Sequence, residues 1–355
     1  MMINTFGRYF RITLFGSSHS PCLGVEIEGC PAGLALSPEL FAADIERRKS
    51  GRPGTTGRRE PDLPIIEMGC CEGLSTGQLL RISFKNTDVR SDDYQGFVNQ
   101  PRPGHADWVA RQTYGPDYDL RGGGIFSGRM TLPIVAAGVV AKQILRQKFQ
   151  GRVQIFGSLR ELGGQPCPPE VETWELPALK AAIEDGDSIG GIISCCVTGL
   201  PVGLGRPFFE PMESQLAQLA FSIPGIRGIE FGAGFAAAGL RGSQHNDCFI
   251  DADGHTATNH AGGINGGLTN GNELIFKVAV KPTPSIARTQ HSFDFAQNKM
   301  APLSVPGRHD ICFALRLPVV MEAVAAIVLT DALNFYAISP CMSARSPSCK
   351  VVPKR

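Results

Sequence analysis

The spacing of apolar residues along the chain predicts four helices. Apolar side chains recur at three- and four-residue intervals in residues 38–49, 134–149, 213–222 and 319–336. The first of these has Ser37 as its N-cap and Pro38 in the first helical position, where proline is favoured. Each predicted helix has an apolar side, so we expect it to pack on a sheet.

Shorter runs with alternating apolar residues predict strands. They cover residues 10–15, 24–27, 79–85, 154–159, 191–198, 273–280 and 309–317. Hairpin-length turns and long glycine-rich loops separate them, which favours antiparallel sheets over a doubly wound parallel sheet. The chain shows no internal repeat and no domain boundary. We therefore expect an α+β protein with one domain over residues 1–338 and a loosely ordered polar tail over residues 339–355.

Composition limits the possible partners. The 355 residues are 43% hydrophobic and carry a net charge of +1, so no overall field attracts nucleic acid or an anionic membrane. Neither a signal-peptide core nor a run of roughly 18 uncharged apolar residues is present, which predicts a cytoplasmic protein without membrane contact. The eleven cysteines are odd in number and lack zinc-like spacing. We expect reduced thiols and no metal site.

The densest chemistry lies between Arg102 and Arg129. Here His105 is followed by a second cluster, which runs from Tyr118 through three consecutive glycines to Arg129. Guanidinium groups, an imidazole and exposed backbone suit a site that holds a planar or phosphorylated anion.

A second basic segment precedes it. Six cations lie within thirteen residues, and only three acids are close in sequence. The cations are Arg47, Arg48, Lys49, Arg52, Arg58 and Arg59, and the acids are Glu46, Glu60 and Asp62. The segment is either a solvated loop or a site for a phosphate or carboxylate, and mutual repulsion favours the site slightly.

Three further segments have two interpretations each. His19, in a loop of small residues, is either an active histidine or one that bonds locally. The run from Lys281 to Ile286 presents a lysine and two hydroxyls on a proline-stiffened loop, or simply ends a strand. Asp310, close to Arg308, is a proton-transfer group or half of an ion pair.

Nine segments, in order along most of the chain, resemble the chorismate synthase family. The family patterns include RPGHADYT, RGGGRSSARET and KPTPSI. The matching segments here are FGSSHS, RRKSGRPGTTGRREPD, NTDVRSDDY, RPGHADWV, RGGGIFSGRMT, RGSQHND, TNHAGGINGGLTNG, KPTPSI and GRHDIC. This resemblance implies a β-α-β sandwich of antiparallel sheets. It also implies a carbon-oxygen lyase that eliminates phosphate in trans-1,4 fashion from 5-enolpyruvylshikimate 3-phosphate, using reduced FMN, to give chorismate.

The resemblance also implies residue roles. His19 resembles the donor of a proton to the departing phosphate, His105 the donor to reduced flavin near N1, and Asp310 the base at flavin N5. Positions that match the family's cofactor-binding residues are Ser127, Gly266, Lys281, Pro282, Thr283, Pro284, Ser285 and Arg308. Arg48 and Arg52 resemble anchors for the phosphorylated substrate or for NADPH as the reductant, and Arg129 and Arg316 resemble further anion anchors. Homotetramers are usual in the family.

The chain departs from the family pattern beside the triple glycine. Ile125, Phe126 and Met130 stand where the family has arginine, serine and glutamate. The loss of a cation predicts weaker FMN binding. An alternative is therefore a catalytically weakened paralogue that binds flavin or a shikimate-type anion without turnover.

Overall fold

The computed structural model describes residues 4–89 and 96–338. The predicted tail over residues 339–355 and the end of the NTDVRSDDY segment lie outside the described residues. The described strands are β1 (Thr5–Phe6), β2 (Arg11–Gly16), β3 (Cys22–Glu28), β4 (Ala32–Ala35), β5 (Ile65–Met68), β6 (Cys70–Cys71), β7 (Leu74–Thr76), β8 (Leu80–Lys85), β9 (Gln154–Leu162), β10 (Gln165–Pro166), β11 (Gly191–Thr198), β12 (Ile226–Phe231), β13 (Ile264–Asn265), β14 (Leu268–Thr269), β15 (Leu274–Val280), β16 (Gln290–Asp294) and β17 (Lys299–Leu303). The α-helices are α1 (Pro38–Arg48), α2 (Asp107–Tyr114), α3 (Thr131–Lys148), α4 (Pro177–Glu184), α5 (Met212–Phe221), α6 (Gly242–His245) and α7 (Pro318–Ile338).

Two five-stranded sheets form the outer layers. The first has the order β1-β2-β3-β8-β5 and the second β10-β9-β11-β15-β12, and their strand pairs are antiparallel. Register follows the apolar pattern: Val25 pairs with Ile82 in the first sheet, and Cys195 pairs with Phe276 in the second. All four side chains are buried.

A helical layer lies between the sheets. Helix α3 packs on β3 and β8, and α7 packs on β9 and β11. The two helices approach closely, since a Cβ at Gly138 would lie 2.3 Å from the Cβ of Ala323. Helix α7 is buried on nearly all sides from Val319 to Leu333, as expected for a helix that is apolar all round. The buried residues of both sheets and these helices form one hydrophobic cluster.

These observations confirm the α+β class and the antiparallel sandwich. All four predicted helices are present, and the strand predictions are confirmed within a few residues, with one exception. Division into a single domain over residues 1–338 stays a prediction. Within the described ranges, no helix has the combined length and apolar character that crossing a bilayer requires.

The predicted strand over residues 309–317 is wrong. Phe313–Arg316 forms a 3-10 helix that leads into α7. The turn is closed by backbone bonds from Leu315 to Cys312 and from Leu317 to Ala314. It brings Asp310 and Arg316 together, whereas an extended strand would separate them by about 20 Å.

Candidate active site

One cleft of about 920 Å³ gathers most of the predicted site residues. Its walls come from segments far apart in sequence: the end of α1, the loops before α2 and α3, the loop after β15, and the turn before α7. The predicted residues that line it are Arg48, His105, Ser127, Arg129, Lys281, Pro282, Thr283, Pro284, Ser285, Arg308, Asp310 and Arg316.

The cleft is strongly cationic. Among the described residues, its lining includes ten lysine and arginine residues but three acids, Glu60, Asp62 and Asp310. The chain as a whole is almost neutral. The charge of the cleft suits an anionic ligand, which favours the ligand-binding interpretation of the basic segment.

Two buried arginines on the cleft share one carboxylate. Arg48 is 1% exposed, and its Nη1 lies 3.3 Å from Oδ2 of Asp62. Arg129 Nη1 donates to Oδ1 of the same carboxylate at 2.9 Å. Burial lowers the pKa of both arginines. Nearby cations lower these pKa values further, and Arg316 is the chief one for Arg48. The negative charge of Asp62 acts in the opposite direction and raises both pKa values. An anion in the cleft would relieve the remaining repulsion.

Asp310 forms an ion pair close to Arg48. Arg316 Nη1 lies 3.1 Å from Asp310 Oδ2, and the backbone N–H of Thr56 donates to Asp310 Oδ1 at 2.9 Å. The sequence left an ion pair and a proton-transfer group as alternatives. The structure shows the ion pair, and because Asp310 also lines the cleft, that pair does not preclude proton transfer.

The triple glycine brings bare backbone against two histidines. Gly122 and Gly123 have φ values of 59° and 83°. A Cβ at Gly122 would lie 2.3 Å from Cε1 of His19, and one at Gly123 would lie 3.3 Å from Nε2 of His105. Glycine is thus required at Gly122 by both backbone conformation and space.

Buried polar contacts hold His105. Its Nδ1 lies 2.6 Å from Oδ1 of Asp107 and 3.1 Å from Nη2 of Arg102. Arg102 also donates from Nη1 to Oγ of Ser285 at 3.1 Å, which ties the histidine loop to the loop after β15. Lys281 Nζ adds a second tie by donating to the carbonyl of Gly104 at 2.7 Å.

Other residues of the loop after β15 offer polar groups. The Oγ1 of Thr283 is buried without a hydrogen-bond partner among the described residues. Burial lowers the pKa of Lys281, and Arg227 lowers it further. Arg308, which also lines the cleft, is paired with Asp88.

Three predicted residues do not line this cleft. His19 borders a small adjoining pocket with Arg58 and His309, and its Nδ1 lies 3.2 Å from the Oγ of Ser18, which does line the cleft. Arg52 donates from Nη2 to the carbonyl of Arg47 at 2.7 Å. Gly266 lies in the turn between β13 and β14. Their assigned roles stay predictions.

The three departures from the family pattern lie in different environments. Ile125 and Phe126 line the cleft, whereas Met130 is buried in the hydrophobic core and does not line it. Phe126 also lies beside the rings of Tyr114 and Tyr118, at centroid distances of 6.4 and 6.3 Å. Two apolar side chains therefore replace polar ones at the cleft itself.

Three polar residues that organise the site were not predicted from the sequence. Asp62 bridges two arginines, Asp107 holds His105, and Asn86 Oδ1 accepts from Arg129 Nε at 2.5 Å. Asp62 had a detectable signal, since it is one of few acids near the basic segment. The sequence indicated Asp107 only through its position two residues after His105.

Fold and site together fit an enzyme whose cationic cleft takes an anionic small molecule. The chorismate synthase family model matches residues 10–334. Chorismate synthase of Chitinophaga pinensis is 52% identical over 329 residues, covering 93% of this chain and 96% of the relative. The corresponding protein of Pyrococcus abyssi is 42% identical over 346 residues, covering 93% and 97%.

A solved chorismate synthase structure agrees in fold. It has a TM-score of 0.68 at 25% identity and covers 92% of both chains. The chain belongs to the chorismate synthase family.

Proposed function

We propose that this chain eliminates phosphate from 5-enolpyruvylshikimate 3-phosphate in a trans-1,4 reaction to give chorismate, with reduced FMN as cofactor. The observation that carries the proposal is the convergence of His105, Asp310 and the buried arginines on one cationic cleft. A substrate with a phosphate and two carboxylates matches this excess of positive charge.

The cleft residues fit a flavin nucleotide. The unpartnered Oγ1 of Thr283 offers a hydrogen bond that no described protein group satisfies. Lys281, Ser285, Arg308 and Ser127 add cations and hydroxyls around the same cleft. When bound, reduced FMN supplies electron density as the C–O bond of the substrate breaks.

The chain's own groups bind anions and move protons. Arg48, Arg129 and Arg316 provide positive charge that stabilises a departing phosphate. His19 is the proposed proton donor to that phosphate, reached through the small pocket beside the cleft. His105 is proposed to donate a proton from Nε2, and Asp310 to accept one on a carboxylate oxygen.

An anaerobic assay tests the function. Purified protein with chemically reduced FMN and the enolpyruvyl substrate should release phosphate and form chorismate in equal amounts. A second arm supplies oxidised FMN with NADPH, and turnover there would show that the protein reduces its own flavin with the proposed nicotinamide reductant. Binding of reduced FMN without any chorismate would support the weakened paralogue instead.

We also propose a cytoplasmic homotetramer, as family resemblance implies. The nine cysteines of the described residues are free, which is compatible with a reducing compartment. Light scattering coupled to size-exclusion chromatography measures the assembly, and a mass near that of one or two chains would contradict it.

A further inference from the structure

Two polar groups compete for Nδ1 of His105, and they require opposite protonation of the ring. A carboxylate can only accept a hydrogen bond, so the 2.6 Å contact with Asp107 requires a proton on Nδ1. A guanidinium can only donate, so the 3.1 Å contact with Arg102 requires a lone pair there. The tautomer of His105 depends on which contact prevails.

The geometry favours Asp107. Its contact with Nδ1 is shorter by 0.5 Å, and Arg102 Nη2 lies closer to Asp107 Oδ1, at 2.8 Å, than to the imidazole. Arg102 Nε also donates to Asp107 Oδ2 at 2.7 Å. Arg102 therefore mainly orients the carboxylate, and the carboxylate accepts the hydrogen bond from the imidazole Nδ1–H.

We propose that Asp107 is a positioning residue for His105, which it holds with Nδ1 protonated so that Nε2 exchanges the proton at the cleft. The proposal rests on the proposed function, in which His105 is a proton donor. The Nε2 edge lies against Gly123, which has no side chain to cover it from that direction. The arrangement fixes which ring nitrogen does the chemistry, as a buried carboxylate does for a catalytic histidine elsewhere.

Asp107 also stabilises the charged form of the ring. Burial lowers the pKa of His105, and Arg102 and Lys281 lower it further, whereas the hydrogen bond and negative charge of Asp107 raise it. Asp107 itself stays ionised, because the hydrogen bonds from Arg102 and His105 outweigh the effect of burial and lower its pKa. Without Asp107 the imidazolium would persist only at lower pH.

A purely structural role is the competing explanation. Asp107 is the first residue of α2, and its Oδ2 accepts a hydrogen bond from the backbone N–H of Arg102 at 3.2 Å. Loss of activity alone would not distinguish anchoring of the loop from control of His105. The experiment therefore needs a direct measurement of the ring.

The first test measures the tautomer in the full-length wild-type protein, without ligands. Histidine labelled with ¹⁵N reports the protonation of each ring nitrogen by NMR, and His105→Gln assigns the signal. We expect neutral His105 to carry its proton on Nδ1. A neutral ring protonated on Nε2 overturns the proposal, whether or not the protein turns over substrate.

The second test compares Asp107→Asn with Asp331→Asn. Asp331 is a matched control outside the cleft: it is buried, and its carboxylate accepts the backbone N–H groups of Arg8, Tyr9 and Phe10. Asp107→Asn should lower kcat at least about tenfold with a smaller change in KM, and should move the alkaline limb of the pH profile to lower pH. Asp107→Glu, which keeps the charge, should recover part of the rate.

The His105→Ala background separates the possible failures. There, Asp107→Asn should cause little further loss, because the group it acts through is gone. An equal loss in both backgrounds, or an unshifted pH profile, overturns the positioning role. Wild-type activity of His105→Ala alone would instead refute the proton-donor role in the proposed function.

Discussion

Arg316 pairs with Asp310, on the same turn before α7, and also binds the end of α1. Arg316 Nη1 lies 3.1 Å from Asp310 Oδ2, and Arg316 Nε donates to the carbonyl of Arg48 at 2.9 Å. The candidate base is therefore held by the same guanidinium that contacts the end of α1. Its position depends on a side chain six residues away and on the backbone of Thr56 and Arg48, which are distant in sequence.

Replacement of Asp310 by asparagine should lower kcat by roughly 10²-fold, the usual scale for loss of a positioned acid-base group, with a smaller change in KM. Steady-state kinetics with reduced FMN under anaerobic conditions measures this. Asp44→Asn is the control, since Asp44 pairs with Lys142 at 2.7 Å and does not line the cleft. Near-wild-type kcat in Asp310→Asn would refute the assigned role.

Alanine at Gly122 should impair activity more than alanine at Gly254. Both glycines have positive φ, 59° and 90°, so each substitution costs about 1 to 2 kcal/mol of backbone strain. Only the Gly122 variant places a Cβ against His19, because Gly254 has no atom within 4 Å of that position. Thermal unfolding and kcat, measured on both variants, separate strain from displacement of the histidine. Equal kcat values would contradict the prediction.

The double variant Ile125→Arg, Phe126→Ser restores the family's polar pair at the cleft. If no other group has replaced the lost cation, the double variant should bind FMN about tenfold to a hundredfold more tightly than the wild type. This range corresponds to the contribution of about 1.5 to 3 kcal/mol that one charge-assisted hydrogen bond makes to binding. Flavin fluorescence or calorimetry at two salt concentrations measures the affinity.

Compensation is the competing outcome for that variant. Lys281 lines the cleft, whereas Arg121 is bonded to Asp119 through its Nη2 at 2.8 Å and does not line it. A lysine already at the phosphate position would repel the new guanidinium. Unchanged or weaker affinity would show that the site is rearranged and not damaged.

Glu322 should contribute stability that depends on pH. Burial works to raise its pKa, but the hydrogen bonds from Arg47 and Lys142 and the positive charge of Lys142 outweigh this and lower it. Because the folded-state pKa is lowered, the stabilisation is present above the ordinary value of 4.5 and is lost as pH falls through the folded-state pKa.

Glu322→Gln should therefore lower the free energy of unfolding by about 2 kcal/mol at pH 7, and the difference from wild type should shrink as the pH falls below the ordinary carboxyl value of 4.5 and through the folded-state pKa. Denaturant unfolding at several pH values measures it. Glu28→Gln is the control, because the Glu28 pair with Arg11 is 46% exposed on both sides and is worth at most about 1 kcal/mol. A difference that grows on acidification would reverse the sign argued here.

The helices that bury an apolar side were predictable, and so were most strands. Helix α1 begins at Pro38 as predicted, although Ser37 makes no side-chain capping bond, because proline in the first helical position and a local apolar stripe suffice to specify its start. The run from His309 to Leu317 was not predictable in the same way. Its apolar residues from Cys312 to Leu315 are all buried, so the apolar pattern of this run does not correspond to one buried face of a strand.

The candidate site was predictable in its chemistry and only partly in its geometry. Family motifs identified His105, Asp310 and the residues from Lys281 to Ser285, which line one cleft. The same motifs did not indicate that His19 borders a separate pocket or that Gly266 lies outside the cleft. Motifs record which residues occur in the family and not the distances between them.

By itself the sequence determined the family, the antiparallel sandwich and the ionisable residue types, because periodicity and motif order are local properties of the chain. Tertiary structure alone decided which charges meet. Asp62 lies between Arg48 and Arg129, although Arg129 is 67 residues away in sequence. Ion pairing and burial depend on distance in space. The protonation of the residues in this cleft is therefore determined by how the two sheets pack around α3 and α7.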